Sequence, residues 1–292
     1  MLNSIKLLVK SNYDLFKIVR FIPGLLGFYR RRTRSRLDDF WNKRIELVLQ
    51  SPDNAAIRRA PYAGEIFRDV QIMHNGLKIN VGSYYGDANT VLLYKNRGVH
   101  EPQEEKVFDE ILNFLPQNAV MVELGAFWAF YSMSFLQRIK QGRSYLIEPD
   151  PHSLLSGKNN FRLNNFEGRF FNYYISDSSE AGTIPTISID EFLKKESIEK
   201  LNILHSDIQG YELKMLQGAV KSLRRKAIDY FFISTHSNEL HDSCKSLLVK
   251  FEYEILCDAN LDETYSWDGL IVARHKSVDR PAELKIHKKA AC

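Results

Sequence analysis

Two carboxylates stand where a nucleoside could be held. Val122-Glu123-Leu124-Gly125-Ala126 is an apolar run ending in an acid and a glycine, the pattern of a buried parallel strand whose backbone turns tightly at its carboxyl end. A second run, Tyr145-Leu146-Ile147, is closed by Glu148-Pro149-Asp150. A carboxylate about twenty residues beyond a glycine turn is placed to accept hydrogen bonds from ribose hydroxyls. Either acid alone reads equally well as an ordinary loop residue. The pair, with a helical segment between, points to a nucleoside cofactor. A dinucleotide is disfavoured, because no G-x-G-x-x-G is present and Ala129 occupies the place of the next glycine. S-adenosylmethionine has no pyrophosphate and needs fewer glycines.

Transfer of a methyl group from a sulfonium is a displacement, so an acceptor must be aligned and, if it is a hydroxyl, deprotonated. Two residues suit that work. Asp207 follows the run Leu201-Asn202-Ile203-Leu204, and His236 follows Ile228 to Ser234. A histidine titrates near neutrality, which makes His236 the expected base. Other readings stand beside these: His236 as a hydrogen-bonded strand-end residue, Asp207 as the cap of a helix starting near Tyr211, and Glu212 as an acceptor contact or a first-turn acid. His205 alternates with strand positions and reads as a packed neighbour. A divalent ion bound by Asp207 with a second acid or His236 would also acidify a sugar hydroxyl, but the local run holds one acid only, so a divalent metal is an open alternative that the sequence does not favour.

The elements that must carry these groups follow from periodicity. Strands are expected at 119–124, 144–148, 169–175, 201–206 and 228–234, with helices near 129–140, 151–163, 211–224 and 239–250. Such alternation implies βαβ units and a parallel sheet, with helices on both faces. Two last runs, Tyr253 to Cys257 and Leu270 to Ala273, are close enough to pair antiparallel. Glu104 to Leu115 reads as a helix, and the acids after Pro102 suit its first turn. Val70 to Met73 and Leu77 to Val81, around His74-Asn75-Gly76, signal a hairpin. The expected division is a basic helical extension over 1–60, a hairpin or cap region over 61–100 and a catalytic α/β domain over 101–292.

Charge sets the extension apart. Residues 1–60 carry thirteen Lys/Arg against five Asp/Glu, a net +8 in a chain whose total is +4. Ile5, Leu8, Val9, Leu15, Phe16, Val19 and Ile22 recur at roughly helical spacing ahead of Arg30, Arg31, Arg32, Arg34 and Arg36. Such a helix could lie on an anionic membrane surface, or pack on its own domain with a solvated basic edge. No nucleic-acid-binding motif accompanies the arginines, so no nucleic acid partner is expected. Three cysteines without C-x-x-C spacing argue against a disulfide framework and suit a reducing cytoplasm, with peripheral contact at the inner membrane surface through the basic segment. No stretch reaches the length of a membrane span.

Three segments, in this order and spacing, give the region from about 100 to 275 a family resemblance. They are Val122 to Ala126 with Tyr131-Ser132, then Ile147 to Pro151 with Asn160 and Asn164-Asn165, and Asp207-Ile208-Gln209-Gly210-Tyr211-Glu212 with Leu216, Gly218 and Ala219. Together they resemble the FkbM-type S-adenosylmethionine-dependent methyltransferases. The resemblance implies a Rossmann-like class I methyltransferase sheet, mostly parallel with a terminal antiparallel pair. It implies that Gly125, Ala126 and Phe127 face the methionine end of S-adenosyl-L-methionine, that Glu123 lies near its amino group, that Glu148 binds its ribose and that Asp177 reads its adenine. His100 and Glu101, just before the first core helix, are candidate cofactor or acceptor contacts. Tyr85 and the Trp267-Asp268-Gly269 turn are candidate acceptor walls. The expected activity is O-methylation of a sugar, a glycan or another small molecule bearing a sugar. The family usually has Asn and Gly where this chain has Phe127 and Ala129, which motivates an alternative, a non-catalytic binding module on the same sheet.

Overall fold

A computed structural model describes residues 39–290; the expected basic helix of the first 36 residues lies outside them. In chain order the elements are α1 (Asp39–Gln50), a 3-10 turn (Pro52–Ala55), β1 (Ile66–Phe67), β2 (Val70–Ile72), β3 (Lys78–Asn80), α2 (Gly86–Lys95), α3 (Pro102–Leu112), β4 (Val120–Leu124), α4 (Phe130–Arg138), β5 (Arg143–Ile147) and α5 (Pro151–Leu163). They continue with β6 (Arg169–Phe171), β7 (Tyr174–Ile175), β8 (Thr186–Ile187), α6 (Ile189–Lys195), β9 (Leu201–Ser206), α7 (Glu212–Gln217), α8 (Val220–Arg224), β10 (Ile228–Thr235), α9 (Asn238–Lys250), β11 (Tyr253–Ala259) and β12 (Gly269–His275). From Arg44 onward the described residues form one compact unit.

The main sheet has seven strands in the order β11-β12-β10-β9-β4-β5-β6. β9, β4, β5, β6 and β10 pair in parallel, while β12 runs antiparallel between β10 and β11. The chain leaves β4 in one direction to build β5 and β6 and returns to its other side as β9. The loops after β4 and β9 therefore flank a topological switch point, where open α/β sheets bind ligands.

Strand parity assigns the two faces. Val120, Val122 and Leu124 of β4 join Leu204, Phe231 and Ile233 in an apolar core that Phe192, Met215, Leu216, Leu223 and Leu248 complete from α6, α7, α8 and α9. The opposite face carries Glu123, in register with His205, and His205 in turn faces Phe232. α3 and α4 cover this second face: Phe108 meets Phe232 edge-on at 5.2 Å, and Tyr131 lies 4.1 Å from the His205 ring. One face is greasy. The other buries charge.

The hairpin forms as expected, with Val70 opposite Asn80 and the turn at His74-Asn75-Gly76. The expected strand over 169–175 breaks instead at Asn172, whose amide donates to the carbonyls of Glu148 (2.8 Å) and Pro149 (2.7 Å) and pulls the chain off the sheet; β7 then pairs with β8. The expected helix over 211–224 is two helices. Asp190 of α6 accepts from the backbone N–H groups of Lys221 (2.8 Å) and Ser222 (2.7 Å), so α8 has its own cap.

Candidate active site

The loop after β4 is shaped by one close approach. Gly125 has φ +69°, and a Cβ there would lie 1.8 Å from the backbone carbonyl oxygen of Asp207. Only glycine lets the β4 and β9 loops touch. Asp207 N–H also donates to Leu124 O at 3.0 Å. Phe127 (φ +33°) and Ala129 (φ +64°) carry the chain on into α4.

Glu148 closes β5 beside this loop. Its carboxylate accepts from Phe127 N–H (3.2 Å) and Asp150 N–H (2.8 Å), one bond on each oxygen. A carboxylate offers about four lone-pair sites, so acceptor capacity remains on both oxygens. Burial raises its pKa, against these two backbone bonds.

At the carboxyl ends of β9 and β10 lies an ionic cluster. His236 Nδ1 is 3.0 Å from Glu212, and its Nε2 lies 3.3 Å from Asp207 and 3.4 Å from Asp268. Two local features fix the ring: β10 ends at Thr235, and Ser237 caps α9 by accepting from Leu240 N–H at 3.1 Å. Asp268 is brought in by β12, where Gly269 pairs with Thr235; a Cβ on Gly269 would lie 2.5 Å from the Thr235 hydroxyl. Glu212 is fully buried and turns back to accept from Ile208 N–H and Gly210 N–H, both at 3.2 Å. The turn is therefore capped by Glu212 and not by Asp207, whose carboxylate accepts from Gln209 (3.1 Å) and faces His236.

The electrostatics overturn the expectation that His236 titrates near neutrality. Burial alone would lower its pKa, but Asp207, Glu212 and Asp268 raise it to about 10. At neutral pH it is an imidazolium. Asp268 moves the other way from an ordinary carboxyl: burial, with the charges of Asp207 and Glu101, lifts it to about 7. It is the group in this cluster poised to take a proton near neutrality. The Trp-Asp-Gly turn before the last strand was its only signal in the sequence.

Glu101 lines a narrow crevice of about 10 Å³ with Glu104, Ser234, Thr264, Ser266 and Asp268. Its carboxylate is held by His100 Nε2 (3.0 Å), the Tyr131 hydroxyl (3.1 Å), Ser266 (3.3 Å) and Arg44 (3.7 Å). Against the cost of burial, His100 and Arg44 keep Glu101 ionised, at about 2. His100 is itself buried, with Nδ1 2.5 Å from Glu105, and Glu105 also pairs with His74 at 2.8 Å. His100 thus bridges two carboxylates inside the protein and offers no surface to an acceptor.

Two other residues sit apart from this cluster. Glu123 is buried on the α4 side of the sheet and accepts from Ser132 N–H at 2.9 Å, so it acts on the first turn of α4. Asp177 is exposed and accepts from the neighbouring Ser176 hydroxyl at 2.9 Å. Aromatic rings roof the β4 loop. Tyr84 stacks on Trp128 (centroids 4.5 Å apart), and Tyr85, 46% exposed, meets Phe127 at 5.5 Å. The charges of Asp207 and Asp268 contribute to raising the Tyr85 pKa, after burial, which places this ring in the field of the ionic cluster. Among the described residues, no group of His, Cys, Asp and Glu has an arrangement that could hold a metal ion, and no helix is long and apolar enough to cross a membrane.

Comparison with known proteins gives one family match and several structural likenesses. Residues 165–255 match the model of the methyltransferase FkbM domain, a stretch that holds Asp177, Asp207, Glu212 and His236. No curated protein matches the chain. Among solved structures, the METTL16 MTase domain is similar with 14% identity over 84% of this chain and 95% of its own, at a TM-score of 0.46. TrmK of M. capricolum, in complex with S-adenosyl-homocysteine, is 12% identical over 58% of this chain and 68% of its own (TM-score 0.41). The fibrillarin pre-rRNA processing protein of Methanococcus jannaschii is 12% identical over 56% of this chain and 70% of its own (TM-score 0.39). The fold is a mostly parallel seven-stranded α/β sheet with a terminal antiparallel pair, the architecture expected from the sequence.

Proposed function

We propose that the protein is an S-adenosyl-L-methionine-dependent O-methyltransferase whose acceptor is a hydroxyl of a sugar or a sugar-containing metabolite. The observation that carries this reading is the convergence of Glu148, Asp207, His236 and Asp268 at the carboxyl edge of one parallel sheet, around the switch point between β4 and β9. The residues present fit the cofactor. Glu148 retains acceptor capacity for two ribose hydroxyls, and a cluster dominated by carboxylates suits a sulfonium cation.

When bound, the cofactor supplies an electrophilic methyl group. The chain's own residues handle the proton. Asp268, ionised above about pH 7, accepts the proton of the acceptor hydroxyl as the oxygen attacks. His236 stays protonated and holds Asp207 and Asp268 together, a cation between acids that would otherwise repel. Glu212 fixes the ring from its far side through Nδ1. Tyr85 offers an exposed aromatic face beside the cluster, a surface suited to a sugar ring.

A second reading, a binding module without turnover, draws support from the aromatic rings packed over the β4 loop at Phe127. Calorimetric titration with S-adenosylmethionine and S-adenosylhomocysteine, followed by transfer of a labelled methyl group to a panel of saccharides, separates the two. Cofactor binding with saccharide labelling is the expected result. Absence of cofactor binding would refute the enzyme, and binding without labelling of any saccharide would refute the acceptor class.

A further inference from the structure

A second concavity lies away from the ionic cluster. Between the end of β3 and the outer face of α5 is an open groove of about 580 Å³, lined among others by Asn80, Gly82, Ser83, Ser156, Asn159 and Arg162. None of its described lining residues is acidic. It presents amides, hydroxyls and one guanidinium beside the apolar Val81 and Leu163, and the polar groups donate and accept hydrogen bonds in many directions. That chemistry differs from the carboxylates at the sheet edge and matches a polyhydroxylated chain.

The wall of this groove is built and held. Asn160, fully buried on α5, accepts from Asn80 through its backbone N–H (2.9 Å) and its amide (3.2 Å), and donates to the Ser83 hydroxyl (3.2 Å) and the Trp128 carbonyl (3.0 Å). One turn further on, Asn164 accepts from Lys78 N–H (2.9 Å) and donates to Lys78 O (2.7 Å). Two asparagines of a single helix thus lock β3 and the following turn in place. Such walls present their polar groups without an ordering penalty on binding.

The wall of the groove also adjoins the β4 loop. Ser83 is followed directly by Tyr84 and Tyr85, whose rings lie on Trp128 and Phe127 of the β4 loop. Asn160 bonds that same loop at Trp128. The wall of the groove is thus continuous in sequence with the aromatic residues packed over the β4 loop. Ligand pockets span roughly 300–1,000 Å³, and this one, at about 580 Å³, lies within that range and exceeds what one sugar ring fills.

We infer that this groove is a subsite for the non-reacting part of the acceptor, and that the acceptor is an oligosaccharide and not a free monosaccharide. The inference rests on the saccharide reading of the active site and adds where the rest of the glycan is held. Binding energy gathered at such a remote subsite can position the reacting hydroxyl.

The test uses the full chain, saturated with S-adenosylhomocysteine, on a printed array of neutral and acidic mono- to hexasaccharides, with oligoribonucleotides printed alongside. Retention should grow with saccharide length. Ser156→Trp, which fills the groove, should weaken retention of the best oligosaccharide at least tenfold, and Arg162→Ala should weaken acidic members most. Both variants should keep wild-type S-adenosylhomocysteine affinity by calorimetry, which also reports that they are folded. The inference is overturned if monosaccharides bind as well as hexasaccharides, if Ser156→Trp and Arg162→Ala leave oligosaccharide retention unchanged, or if oligoribonucleotides are retained and saccharides are not. Loss of S-adenosylhomocysteine binding by the wild-type chain would instead refute the cofactor reading, so the two failures are distinguishable.

Discussion

Replacing His236 by glutamine, which keeps polarity and removes the charge, should change how stability depends on pH. The folded-state pKa of His236 is raised from the ordinary 6.5 to about 10. A group raised in this way contributes stability that is complete below its unfolded pKa and is lost as pH rises through its folded pKa. At 1.36 kcal/mol per unit, the imidazolium's contribution falls by about 3 kcal/mol from pH 6 to pH 9, and solvent screening of a partly exposed ring trims this to about 2–3 kcal/mol. His236→Gln should therefore be most destabilising near pH 6, where Asp207 and Glu212 lose a full positive neighbour, and much less so near pH 9. Urea unfolding of both proteins across that range gives the difference directly. Repeating it on an Asp268→Asn background removes the carboxyl that titrates together with the ring. A destabilisation equal at both ends of the range would refute the ion-pair account.

Further expectations follow from other contacts. Gly125→Ala must accommodate a left-handed backbone and a Cβ on the Asp207 carbonyl, and should cost about 2–4 kcal/mol in urea unfolding; a change within about 0.5 kcal/mol would mean that the two loops do not meet as described. Asp268→Asn should lower turnover by about a hundredfold and abolish the rise in rate through neutral pH, and an unchanged pH–rate profile would exclude Asp268 as the proton acceptor. Glu148→Gln should weaken S-adenosylhomocysteine about tenfold by calorimetry, in keeping with loss of a charged hydrogen-bond acceptor, and full retention of affinity would remove Glu148 from the ribose site. Deleting residues 1–36 should reduce co-sedimentation with anionic vesicles, given the charge of that end of the chain; equal co-sedimentation would count against a membrane role.

The parallel sheet was legible because each core strand is an apolar run bounded by turn residues, and the acids and glycines at strand ends marked the carboxyl edge. Strand parity explains where Glu123, expected near the cofactor's amino group, points. It alternates with Val122 and Leu124, which fill the apolar core, so it had to face the other way, toward α4. The α6 helix was not among the expected elements: it is short, and its start is set by Ser188, which accepts from Glu191 N–H at 3.3 Å. α2 had no such signal: it begins behind Tyr85 in a left-handed conformation, without a side-chain cap, and carries Asn89-Thr90 in its middle. The charged interior was hidden for another reason. Glu101, Glu104 and Glu105 look like first-turn acids of α3, and what lets them be buried is His74, His100 and His205, drawn in from separate elements. The state of His236 was likewise beyond any local pattern, because Asp268 arrives from a strand more than thirty residues later in the chain.

The contact between Gly125 and the Asp207 carbonyl has a practical bearing on engineering. With backbone against backbone there is no side chain to trim, so neither loop can be lengthened or exchanged alone without displacing its neighbour. Attempts to redirect acceptor choice by transplanting segments from a related protein would have to move both as a matched pair, or confine diversity to Tyr85 and the α5 face, where substitutions leave that seam untouched.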